Sequence, residues 1–436
     1  MSIKNYKGKI GEFSYDDTEF KRNGTFFHYI GNDPDNCVIP EGMKNCAELF
    51  FKNQKITKPP VIPEGVENCN RMFMGCSNLE STPEIPSTVE SCIEMFRGCT
   101  KITEGPEIPE SVENCREMFA LCKSLQKSPV LHEHIEDIDY MFWSSGLTEP
   151  PVLPRNIKSC MFTFKNCKKL SVAPQIPEGI ISTNGMFEGC EKLEIAPVLP
   201  STLVTADSMF FCCKKLQKAP ELPKRLKTAG SMFEGCEKLS EMPDLPISLT
   251  ETGAMFRNCK KIKKSKLLPK FLISASYMFE NTGIAEAPEL PETLTNVSRM
   301  FKGCPIEKAP ELKNTNITYA SEMFANCENL TEPPELPKTL VVASGMFLNC
   351  KELLYVPEIP DSVRSINEMF RGCRKIKKIP DFPPSVESIS KIYWGCPEIE
   401  KIKEIPPSVK SIYIDKGKSK LEMVYDKEVI IKELFG

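Results

Sequence analysis

Histidine is almost absent from this chain: 436 residues contain only His28, His132 and His134. Tryptophan occurs twice. So little imidazole weighs against a histidine-driven nucleophile and against a histidine-rich metal centre, both of which need partners at defined spacing. His132-x-His134 could share one face of a strand, but no third ligand follows at matching spacing. A Gly-rich phosphate loop and a G-x-S-x-G elbow are both missing. No apolar run approaches the roughly 18–20 residues of a membrane helix. The segment Met1–Ile10 is basic without an apolar core, and the final KELFG carries no anchor motif. The expectation is a protein made without a signal peptide, cytoplasmic or assembled into a virion, with a surface location by a non-Sec route left open. Net charge is also lacking: 56 basic residues face 59 acidic ones, for −3 overall. That balance gives no global pull toward nucleic acid or an anionic membrane.

What the chain has is a period. Aligned on Met-Phe, the phenylalanines fall at 50, 73, 96, 119, 142, 164, 187, 210, 233, 256, 279, 301, 324, 347 and 370, and Tyr393 takes the next place. Steps are 23 residues, except 22 from Phe142 to Phe164 and from Phe279 to Phe301. A repeat so short cannot bury its own apolar side and has to stack on a neighbour. The prior of two or three domains for this length therefore gives way to one stack of about sixteen rungs.

Each unit carries four features, well shown by residues 83–102. A Pro-x-Ile/Leu-Pro segment such as Pro83–Pro86 fixes φ and suits a corner. A Val or Leu follows, as at Val89 and Leu226. Then comes Met-Phe-x-Gly/Asn-Cys, whose Gly75, Gly98 or Asn326 fits a turn needing positive φ. An aliphatic such as Leu79 or Ile102 closes the unit. The spacing of apolar residues suits a helical turn, but Pro, Gly and Asn leave room for little more. The expected rung has one or two short parallel strands and a tight helical turn at Met-Phe-x-Gly-Cys.

The run Val363, Ile366, Met369, Phe370, Gly372, Cys373, Ile376, with Ile-Pro before it, resembles the BspA-like class of leucine-rich repeats. The resemblance covers about residues 40–412, with Met where many members have Ala and two prolines per rung. It implies a leucine-rich-repeat-like solenoid used for binding and surface interaction, and it names no ligand. Residues 1–39 lack the repeat; their aromatics around Asn23-Gly24 suggest a hairpin and an N-terminal β cap. Residues 40–411 form the solenoid. The alternating stretch 412–436 suggests a second β cap, since open ends invite edge pairing.

Twenty cysteines would mean disulfides in a short secreted chain. Here thirteen sit three residues after the Phe register, from Cys76 to Cys396, and Cys46, Cys69, Cys92, Cys115 and Cys160 sit four before it. Residues stacked at ~4.8 Å are too far apart for an S–S bridge, and no paired CxxC suggests zinc. The expectation is reduced, buried thiols that pack as small hydrophobes, with no cofactor and no metal. Around Phe142 and Phe279 the cysteine and one residue are lost together. That marks either a shorter turn or a local kink or docking site beside Trp143. Outside, a column of acids lies between the prolines: Glu84, Glu107, Glu221, Asp244, Glu289, Glu335, Glu358 and Asp381. It either keeps the stack soluble or meets a basic partner. Together these readings give a non-enzymatic protein-binding solenoid without nucleic-acid or membrane-inserting function, self-association being compatible. The alternative is a structural or decoration component of a phage virion or other assembly.

Overall fold

The computed structural model describes residues 7–10, 13–16, 26–378, 380–399, 406, 408 and 411–413. The chain forms two compact units, 1–216 and 217–436. The first opens with β1 (Lys7–Ile10), β2 (Phe13–Asp16) and β3 (Phe26–Tyr29), an antiparallel sheet in the order β1-β2-β3. Asn23 and Gly24, the expected hairpin turn, lie outside the described residues. Tyr29 ends β3 with its ring 5.3 Å from Phe50, which joins the sheet to the first repeat.

Within each unit the register phenylalanines stack face to face. Phe50 and Phe73 have centroids 5.4 Å apart and planes 4° apart; Phe233 and Phe256 are at 5.7 Å and 6°. The rings are fully buried, as are the Met before them and the closing aliphatics. In the second unit the ring column ends on Tyr393, 6.1 Å from Phe370.

Backbone hydrogen bonds explain how so proline-rich a chain can stack. Within each unit the N–H groups around the phenylalanines divide by parity. Those of Glu94, Phe96 and Gly98 donate to Arg116, Met118 and Ala120 of the next rung, at 2.9, 3.0 and 2.8 Å. Those between, Met95, Arg97 and Cys99, donate three residues back within the rung, to Cys92, Glu94 and Phe96. The result is a run of overlapping turns and not the expected helical turn. The described residues contain one 3₁₀ segment, Pro34–Asn36, and no α-helix. A helix would direct every N–H along its own axis and leave none for the neighbour.

The first and last of these turns hold a left-handed residue at their third position. It appears at two places per rung, two residues before and two after the phenylalanine. Glycine or asparagine fills much of the second place, as expected: Gly75, Gly98, Asn326 and Asn349 have φ of 76°, 77°, 59° and 58°. The first place is filled by Glu48, Arg71, Glu94, Tyr140, Phe162, Ala254 and others at φ near 55°. Nothing in their side chains announces it.

The expected parallel strands shrink to single bridges such as Asn45↔Asn68↔Ser91 and Val172↔Ile195. Among the described residues, β4 (Ser388–Ser390) and β5 (Ser411–Tyr413) alone pair in parallel over three residues. Prolines supply no donor and the turns consume the rest, so no longer ladder can form.

The two 22-residue steps are shorter turns. Gly146 donates to Cys122 and Gly283 to Ile262 in the preceding rung, so the chain closes early. A Cβ at Gly146 would stand 2.2 Å from the Lys123 carbonyl oxygen, so only glycine fits. Ser145 and Thr282 occupy the lost cysteine positions, each with its hydroxyl against the next sulfur, at 3.4 and 3.3 Å.

Two substitutions test this geometry in urea unfolding. Gly146→Ala is expected to cost about 3 kcal/mol or more, because backbone has to move. Ala254→Gly is expected to stabilise by about 0.5–1 kcal/mol, because it removes a left-handed non-glycine from an otherwise unchanged turn.

Candidate interaction surface

The interior leaves little reactive chemistry. None of the twenty cysteines, all among the described residues, is in a disulfide. Sulfurs of the main column donate to the phenylalanine carbonyl of the rung before: Cys76 to Phe50 at 2.9 Å, Cys99 to Phe73 at 3.1 Å, Cys259 to Phe233 at 3.0 Å. Each thiol thus serves a buried carbonyl as well as filling space. Burial pushes the Cys76 thiol up to about 12 and those of Cys304 and Cys396 to about 11. Cys92 and Cys190 are likewise pushed well above the ordinary thiol value. A thiol held protonated at neutral pH is a poor nucleophile and a poor metal ligand. A second column of hydroxyls, unrecognised in the sequence, does similar work: Thr88 donates to Val66 at 2.8 Å, Ser248 to Leu226 at 2.6 Å, Ser362 to Leu340 at 2.7 Å. Its signal was a Ser or Thr just before the Val or Leu in many of the rungs, as at Thr88, Ser248 and Ser362.

The histidines and Trp143 do not converge. His132 and His134 sit at a corner with ring centroids 5.8 Å apart, and the His134 N–H donates to His132 Nδ1 at 3.2 Å. Trp143 is half-buried on the turn side, under the Arg97 guanidinium at 5.6 Å. Among the described residues no group of three His, Cys, Asp or Glu could hold a metal ion.

Charges on the turn side pair with one another. Glu94, only 7% exposed, meets Arg71 at 2.8 Å and Arg97 at 2.9 Å. Arg97 continues to Glu117 at 2.7 Å. In the second unit Glu322 binds Arg299 at 2.6 Å and Lys302 at 2.5 Å. Burial would raise the Glu322 carboxyl, but those two cations outweigh it and hold it below its ordinary value. Arg257 and Arg299 each lie 5.4 Å from the Tyr277 ring.

The column between the prolines is different. Glu84, Glu107, Glu221, Asp244, Glu289, Glu335, Glu358 and Asp381 are all exposed at equivalent places of their rungs. Asp244 meets Lys266 at 2.7 Å and Glu335 meets Lys313 at 2.9 Å. In the first unit, however, the acids share the column with Val38, Val61, Val130, Val152 and Val198, which are 81–88% exposed. In the second, Leu267 is the one apolar member. A groove of about 700 Å³ in the first unit runs between Val152 and Gln175, walled by Pro150, Pro151 and Pro174. One of about 790 Å³ in the second runs between Glu358 and Asp381, with Tyr355 and Phe382.

Comparison with known proteins follows this geometry. The profile of the family described as BspA type leucine rich repeat region, of six copies, matches residues 44–171, 138–263, 181–307, 231–354 and 341–415. No curated protein sequence matches. Among solved structures the chain is similar to a leucine-rich repeat protein from Bacteroides ovatus, at 21% identity over 93% of this chain and 90% of that one, with TM-score 0.42. It is also similar to YopM from Yersinia enterocolitica, at 17% identity over 85% and 89%, TM-score 0.47, and to a leucine-rich repeat protein from Eubacterium ventriosum, at 15% over 97% and 96%, TM-score 0.37.

Buried thiols make stability depend on pH. Their folded values of about 11–12 exceed the unfolded value near 8.5. The folded state keeps protons that the unfolded chain releases, so stability is complete below about pH 8.5 and falls as pH rises toward 12. Thermal melts should give a level midpoint between pH 7 and 8 and a steady fall above 9. A thiol reagent at pH 7.5 should find most of the twenty sulfurs only after denaturant is added, with half-buried Cys212 the first to react.

Proposed function

The chain belongs to the BspA-type leucine-rich repeat family, and from that premise we propose that it is a non-enzymatic protein-binding solenoid of sixteen rungs. Residues 1–39 and 412–436 serve as its caps and 40–411 as its repeat body. Stacked repeats offer long exposed columns that can vary without disturbing the buried one. The observation that carries the reading is the contrast between the two sides of each rung. Inward positions repeat phenylalanine, methionine and cysteine, while the outward position between the prolines changes from rung to rung and stays in water.

The partner-facing surface is the acidic column of Glu84, Glu107, Glu221, Asp244, Glu289, Glu335, Glu358 and Asp381. A row of like charges is stabilised by an opposite charge brought to it, so the partner is a protein with a basic stripe. Interaction with a host or cell-surface protein belongs to this reading. No described helix is long and apolar enough to cross a membrane.

The test is a pull-down from native lysate beside a variant with Glu84, Glu107, Glu221, Glu289 and Glu335 changed to Lys. A distinct partner that the variant loses, and that 0.5 M salt releases, is expected. Recovery of the protein itself, or of particle components that the variant retains, would replace this reading with a structural role in an assembly.

A further inference from the structure

The rung from Cys259 to Ile273 keeps the buried pattern and abandons the exposed one. Cys259, Ile262 and Leu272 are fully buried, as their equivalents are elsewhere. The outward positions are Lys260, Lys261, Lys263, Lys264, Lys266 and Lys270, all exposed, and the stretch contains no acid. Only Lys266 has a carboxylate partner among the described residues, Asp244 at 2.7 Å. Between the lysines stand Leu267, Phe271 and Ile273, 82%, 53% and 47% exposed.

Two departures from the repeat add to this. Leu267 interrupts the acidic column of the second unit, and Lys266 replaces the corner proline found in most of that unit's other rungs. Losing the proline returns a backbone N–H to an exposed corner. Cation, apolar side chain and backbone donor therefore alternate along one edge.

The width of this edge selects its ligand. At equivalent positions of the rungs on either side, Lys264 lies between Glu241 and Glu286, and Leu267 between Asp244 and Glu289. Ring centroids of successive rungs here are 5.7 and 6.1 Å apart. From Lys264 to Leu267 the positive strip is thus one rung wide with acids on both margins. A membrane surface or a nucleic-acid duplex would span several rungs and meet those acids. A single extended chain laid along the rung would meet the lysines alone.

We propose that residues 260–273 form a docking strip for an extended acidic peptide with apolar side chains, which lies along the rung. Its carboxylates face the lysines and its apolar side chains cover Leu267, Phe271 and Ile273. This goes beyond the basic partner assigned to the acidic column and does not depend on it.

The test uses the intact chain and a fluorescein-labelled twelve-residue peptide of alternating Asp and Leu, read by fluorescence anisotropy at 50 mM salt. Expected is saturable binding that weakens at least tenfold in Lys261→Glu/Lys263→Glu/Lys264→Glu and in Leu267→Ser/Phe271→Ser. The neutral Lys261→Gln/Lys263→Gln/Lys264→Gln form should lose an intermediate amount. Lys123→Glu/Lys127→Glu/Lys338→Glu, with the same charge change elsewhere, should bind as the parent does. An Asp-Gly peptide should bind at least tenfold more weakly. Circular dichroism melts establish that each variant is folded. The proposal is overturned if the Asp-Leu peptide does not bind, or if the control variant loses as much as the strip variant. It is equally overturned if phosphatidylserine vesicles or a twenty-nucleotide oligo(dT) bind more tightly than the peptide and lose binding in the strip variant.

Discussion

The division of backbone N–H groups around each buried phenylalanine is the constraint on which the rest depends. One N–H in two crosses to the next rung, and its neighbour closes a turn within its own. Both sets are needed, since a buried amide without a partner costs about as much as a lost hydrogen bond. The arrangement forces left-handed residues on either side of the phenylalanine and allows no helix. It also draws successive rungs close enough for their rings to stack. Thiols then add a second donor to phenylalanine carbonyls that already close a turn, and hydroxyls serve carbonyls such as that of Val66.

The repeat, its register and its buried column were legible in the sequence because they are carried by side-chain identity. Phe50, Cys76 and Leu79 announce their places by recurring every 23 residues. The turn after the phenylalanine was legible for the same reason: Gly98 and Asn326 are residues that left-handed backbone selects. The turn before it was not. Glu94, Arg71 and Ala254 hold the same φ only because hydrogen bonds from two rungs fix it. Strand length was misjudged because hydrogen-bond partition, not apolar spacing, decides it. The outward columns were half legible. The acids stood out as charges, while nothing in the sequence marked Val61 and Val152 at the same place as exposed.

A uniform interior frees the exterior. Turn-side charges such as Glu94 and Glu322 are committed to arginines and lysines of adjacent rungs and bind the stack to itself. Charges between the prolines are exposed, and pairs such as Asp244 with Lys266 and Glu335 with Lys313 join some of them to a neighbouring rung. The rung of Lys260–Lys270 takes this freedom furthest, with six exposed lysines above an unaltered core.

The crossing hydrogen bonds also have a direction. On the phenylalanine side, Glu48, Phe50 and Lys52 donate forward to Asn70, Met72 and Met74. On the bridge side, Glu67 donates backward to Lys44 and Glu90 to Glu67. Every rung therefore has two unlike surfaces: the leading one offers donors on one flank and acceptors on the other, and the trailing one offers the reverse. A rung can be added head to tail and in register, while an inverted rung would set donor against donor. The stack is vectorial, and lengthening it by duplication is a chemically directed process that admits only whole rungs in the same orientation.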